Sequence, residues 1–91
     1  MADGMNERVR AMVEAVVRNV VDDEAEVAVA IHASDRTALL EVDVALADVG
    51  KIIGRAGATA TAIRTILQAI SGKTRVKYTM EIIEPGRGGG D

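Results

Sequence analysis

The stretch Val49-Gly50-Lys51-Ile52-Ile53-Gly54-Arg55-Ala56-Gly57 holds the residues best suited to chemistry in this chain. Two glycines bracket a short turn, Gly54-Arg55-Ala56-Gly57, with a cation inside it. Glycine tolerates positive φ and leaves neighbouring N–H groups uncovered by a side chain. If a helix starts immediately afterwards, its free N–H groups and the positive end of its dipole point at the same spot, which attracts a phosphate. Arg55 adds a charged, multi-donor contact, assisted by Lys51 and Arg64. Ile52 and Ile53 make an apolar floor on which unstacked bases can lie. Single strands offer splayed bases and duplexes do not. The same glycines would equally serve a purely structural corner between two helices, and the elements around them decide between the two.

Those elements are read from hydrophobic periodicity. Val9, Met12, Val13, Val16, Val17 and Val20 form one apolar stripe of helical period, with Asn6 as the expected N-cap. Val27, Val29 and Ile31 alternate with polar or small residues, as do Leu40, Val42, Val44 and Leu46. With Ser34-Asp35-Arg36 between them, they predict an antiparallel hairpin. A short helix over 47–53 should stop at Gly54. A second should run from about Ala58 to Ile70, burying Ile63, Ile66, Leu67 and Ile70 and ending at Gly72. Val76, Tyr78, Met80 and Ile82 mark the buried face of a last strand.

The order is αββααβ. It predicts an α+β fold, a two-layer sandwich whose three-stranded mixed sheet is covered on one face by three helices. The second and third strands, joined through helices, can be parallel. Residues 6–84 make the domain, 1–5 a flexible N-terminus and 85–91 a flexible Gly-rich tail.

Composition removes several function classes. The chain has 91 residues, no cysteine and one histidine. His32 lies on the polar face of the first strand without companions, and Asp22-Asp23-Glu24 lacks the spacing of a calcium loop, so no catalytic or metal site is expected. Gly72-Lys73-Thr74 resembles the end of a P-loop, but Leu67 stands where that pattern needs glycine. No cofactor is expected, and the protein is not an enzyme. Tyr78 is the sole aromatic residue, so base-stacking platforms are excluded. No apolar run would span a bilayer and the first residues are unlike a signal peptide, which predicts a cytoplasmic protein. The net charge is −3, yet residues 51–91 carry seven basic and three acidic residues, against four and eleven in residues 1–50. A chain polarised this way can present one basic surface to phosphate.

Placed inside an αββααβ chain, Ile52-Ile53-Gly54-Arg55-Ala56-Gly57 resembles the GXXG loop of type II KH domains. Val49–Gly54 and Ala62-Ile63-Arg64-Thr65-Ile66-Leu67 are similar to the stand-alone bacterial KH proteins of the KhpA/YlqC family, and the likeness covers roughly residues 6–84. It implies a single-stranded RNA-binding protein whose loop clamps about four nucleotides, with RNA chaperone or post-transcriptional regulatory roles. It also implies pairing with itself or with a Jag-type (KhpB) KH protein. Ala58 stands where that family usually carries a basic or polar residue, and Thr61 stands near where it often carries a lysine, so binding should be weak. The alternative is a protein-interaction subunit, docking through the acidic first helix and a sheet edge, whose RNA binding depends on a partner. Single-stranded DNA is a lesser alternative ligand.

Overall fold

The computed structural model describes residues 2–83, without the side chains of residues 2, 3, 55 and 56. The Gly-rich tail expected over 85–91 lies outside the described residues. Helix α1 (Ala2–Val20) is organised by its valine stripe: Val9, Val13 and Val17 are buried, with Met12, Val16 and Val20 packed beside them. It reaches back past Asn6, the expected cap. The Asn6 side chain is used elsewhere, accepting a hydrogen bond from the Tyr78 hydroxyl at 2.5 Å, which ties α1 to the last strand. On its outer side Arg10 pairs with Glu7 and Glu14 and also donates to the Val29 carbonyl at 3.3 Å.

After a 3-10 turn at Glu24–Glu26 come strands β1 (Ala28–Ala33) and β2 (Thr37–Asp43), antiparallel and in register from Ala28↔Asp43 to Ala33↔Ala38. The Ser34 N–H donates to the Thr37 carbonyl at 2.9 Å, closing the hairpin as expected. Strand β3 (Lys77–Ile83) lies parallel to β2, Thr37↔Lys77 through Asp43↔Ile83, giving the order β1-β2-β3. The expected mixed, three-stranded α+β sheet is therefore present. Its inner face contributes Val29, Ala38, Leu40, Val42, Tyr78 and Met80 to one core. Burying such side chains stabilises the fold by about 1.5–3 kcal/mol for each large one.

The helical cover departs from expectation in one respect that matters. Two separate helices were expected around the glycine turn. Instead, α2 (Val49–Thr74) is one helical run of 26 residues, in which Gly57 alone takes left-handed backbone, φ 71°. A right-handed helix cannot pass straight through such a residue, so the run is two arms, 49–56 and 58–74, meeting at Gly57. With α1, three helical pieces cover the sheet. Gly54, expected to end the first arm with positive φ, is helical.

Three smaller expectations fail for local reasons. Leu46 was expected to face inward, but the chain leaves β2 at Asp43 and enters a 3-10 turn at Leu46–Asp48; Val44 stays buried and Leu46 swings out to 69% exposure. Ile66 was expected in the core. The buried row of the second arm is Ala60, Ile63 and Leu67 with Ile70 beside it, and Ile66, about 100° round the helix from Leu67, is 43% exposed. The second arm also runs past Gly72 to Thr74, and Arg75 supplies the left-handed cap at φ 65°, its N–H donating to the Ser71 carbonyl at 2.9 Å.

A non-glycine residue in left-handed backbone costs about 1–2 kcal/mol. Arg75→Gly should relieve most of it and, after the added freedom of the unfolded chain, raise stability by up to about 1 kcal/mol. The urea midpoint measures this.

Candidate nucleic-acid interface

Two open clefts adjoin α2, one beside the Gly57 corner and one farther along the second arm. One, of about 340 Å³, is lined by Gly50, Gly54 and Ala58 along α2, with Lys51, Thr59 and Val20 of α1. Gly50 and Gly54, one turn apart on the first arm, meet Ala58 at the start of the second, so this side of the corner carries almost no side chain. A Cβ built on Gly50 or Gly54 would meet nothing within 4 Å. At Gly57 the constraint is conformational: a side chain would fit beside Thr61 Oγ1 at 3.9 Å, but the backbone is one that L-residues rarely adopt.

Lys51 lines this cleft but is not a free cation. Its Nζ lies 3.2 Å from Asp22 Oδ2 and 3.3 Å from Asp48 Oδ1. Hydrogen bonds to Asp22 and then Asp48 push its pKa up from the usual value, so it stays charged. Asp48 is the deeper group, 2% exposed. It precedes α2, yet its side chain caps nothing there. Instead Oδ2 accepts the Asp23 N–H at 2.9 Å and Oδ1 the Asp22 N–H at 3.2 Å. One carboxylate thereby fixes the exit of α1 to the entrance of α2, which is how the first arm and Lys51 acquire their position. The Asp23 N–H foremost, then the Asp22 N–H and Lys51, hold its carboxyl below the ordinary range despite burial.

The second cleft, about 270 Å³, runs between the second arm and β3, lined by Arg64, Gln68, Ser71, Lys77, Tyr78, Thr79 and Met80. Arg64 Nη2 donates to the Met80 carbonyl at 3.2 Å and the Tyr78 N–H donates to Ser71 Oγ at 2.9 Å. A guanidinium has five donors, so this contact orients Arg64 without exhausting it.

The candidate residues are thus divided. Gly54 and Gly57 form the half-buried corner with positions 55 and 56 between them. Lys51 lies in the first cleft and Arg64 in the second, and the two clefts share no lining residue. Ile52 is fully buried and supports the arm from beneath, whereas Ile53 is 42% exposed and free to meet a ligand. Sequence reasoning passed over Gln68, Ser71, Lys77 and Thr79. The polar row Thr61, Arg64, Gln68 and Ser71, at helical spacing, was the available signal. The Asp48 contact had none, since its partners lie 25 and 26 residues away.

Lowering the pKa of Asp48 in the fold means that its stabilising contribution is complete above the ordinary value of 3.8. It is lost as pH falls through that value toward the lower folded one. Between about pH 5 and pH 1, the wild type should lose stability more steeply than Asp48→Asn, and the variant should be the less stable at neutral pH. Urea midpoints measured across that range check both.

The sequence model of the family described as KhpA/KhpB, KH domain, matches residues 10–82. Over 73 residues the chain is 41% identical to the RNA-binding protein KhpA of Borreliella burgdorferi, covering 80% of this chain and 89% of that one. The RNA-binding protein KhpA of Chlamydia trachomatis is 41% identical over 69 residues, 76% of this chain and 88% of its own. That of Mycobacterium tuberculosis is 46% identical over 61 residues, 67% and 76% respectively. No solved structure matches the chain.

Proposed function

The chain belongs to the KhpA/KhpB KH-domain family, which is not a family of enzymes, and we propose that it binds single-stranded RNA through the Gly54-Arg55-Ala56-Gly57 corner. RNA binding is what its relatives' names carry. The observation that supports the corner as the contact is the left-handed Gly57 between two helical arms, beside a cleft lined by Gly50, Gly54 and Ala58. Backbone there can approach a sugar-phosphate strand closely. The second arm starts at that point with its dipole aimed outward, and Arg55 supplies positive charge. Bases would rest against Ile53 and along the cleft beside β3, with Arg64 and Lys77 flanking them. Lys51 is held by two carboxylates, so its contribution requires a phosphate to compete with Asp22.

A chaperone or post-transcriptional role in the cytoplasm fits a small, sequence-tolerant binder of this kind. Assembly with a second copy or with a KhpB-type KH protein is the companion reading. The exposed Ile66, on an arm whose Ala62 and Ala69 are also exposed, favours it. No helix among the described residues is long and apolar enough to cross a membrane.

Arg55→Asp combined with Ala56→Asp should abolish binding of a single-stranded RNA oligonucleotide in a fluorescence-anisotropy titration while the circular-dichroism melt stays near the wild type. Wild-type affinity should fall with salt at a log–log slope of about −0.7 for each phosphate neutralised. Unchanged binding by the double variant overturns the assignment of the corner.

A further inference from the structure

At the far end of the second arm, three segments meet. Arg36 closes the β1–β2 turn and its carbonyl accepts the Lys77 N–H at 2.8 Å. Lys77 opens β3 in register with Thr37. Lys73 and Arg75 end α2, tied back through the Ser71 carbonyl. The side chains of Arg36, Lys73, Arg75 and Lys77 are all exposed, and none forms an ion pair among the described residues. Asp35 is the single acid in the segments 34–37 and 71–77. A pole of four cations and one anion on a chain of net charge −3 is a concentrated positive field, and the proposed phosphate corner lies a whole helix arm away.

We propose that this pole, Arg36, Lys73, Arg75 and Lys77, is a second phosphate-binding zone for the same nucleic-acid strand. It rests on the reading of the corner as a nucleic-acid contact and extends it. Two observations favour a strand over a protein ligand. Lys77 belongs both to the pole and to the cleft that Arg64 lines, so a strand that has crossed the two helical turns from Gly57 to Arg64 enters a cleft that leads directly into the pole. Segments 34–37 and 71–77 also carry no exposed apolar residue, Val76 being half-buried, and of the four cations Lys73 alone lines the neighbouring cleft formed by Met5, Val9, Met12 and Ile70. A protein interface needs an apolar centre, whereas interfaces with nucleic acid are polar and positive. The second arm of 17 residues, 58–74, spans about 25 Å. The footprint therefore exceeds the roughly four nucleotides that the corner alone would clamp.

The test compares the full chain with the triple variant Arg36→Gln, Lys73→Gln, Arg75→Gln on single-stranded RNA of about four nucleotides and of about 12, within the range of single-strand site sizes. The variant's melting curve serves as the folding control. Wild type should bind the longer strand more tightly. The variant should lose on the order of tenfold on the longer strand and flatten its salt slope by about 2, at about 0.7 per lost phosphate. It should bind the short strand as wild type does. Equal losses on both lengths, or no loss on either, overturn the second zone while leaving the corner intact. So does a variant that keeps its RNA affinity but loses an acidic protein partner. Wild type that binds neither strand at low salt overturns the corner itself, and the pole with it.

Discussion

Parallel pairing of β2 with β3 is the constraint from which the rest of this molecule follows. Two seven-residue strands in register run about 23 Å. Parallel strands oblige the chain to travel that whole distance back before the second can begin. The second arm of α2, at about 25 Å, is the return path and matches it closely. A straight helix of all 26 residues would be about 39 Å long, more than the 36 Å longest dimension of the domain. The run has to bend, and it bends at Gly57, where glycine takes left-handed backbone without a steric cost. The corner proposed to meet RNA is thus also the corner that sheet topology demands. Both readings of the glycines describe one residue.

The two sides of that bend differ in charge. Toward α1, the Asp48 carboxylate gathers the backbone of Asp22 and Asp23 and, with Asp22, the ammonium of Lys51. That side is positioned and largely charge-compensated. Toward β3, Arg64 and Lys77 face an open cleft with no carboxylate among its lining residues. The electrostatic asymmetry between the halves of the sequence therefore becomes, in the fold, an asymmetry between the flanks of one helix.

Much of this was legible beforehand, because the residues concerned report on one periodicity at a time. The Val9–Val20 stripe and the alternations through Leu40–Val44 and Tyr78–Ile82 gave the layers, the strand order and most of the core. The misses occur where periodicity ends. Leu46 continues the alternation of β2 on paper, but a 3-10 turn intervenes. Gly54 and Gly57 look alike as letters, and only the geometry of the bend chooses between them. Gly72 offered a conventional stop, yet the arm must reach the start of β3, so Arg75 accepts the strained position instead. Asp48 was illegible because a carboxylate reaching across 25 residues leaves no local pattern.

Both borders of the sheet carry a guanidinium. The Ser34–Thr37 pair is hydrogen-bonded, so by alternation Val29 lies on a pair whose main-chain groups point away from β2, and Arg10 occupies its carbonyl. On β3, Lys77 turns its N–H toward the hairpin, which leaves Met80 facing outward, and Arg64 occupies that carbonyl. An incoming strand would have to evict an arginine on either flank. Growth of the sheet by edge-to-edge accretion, the usual hazard of a short open sheet, is thereby discouraged.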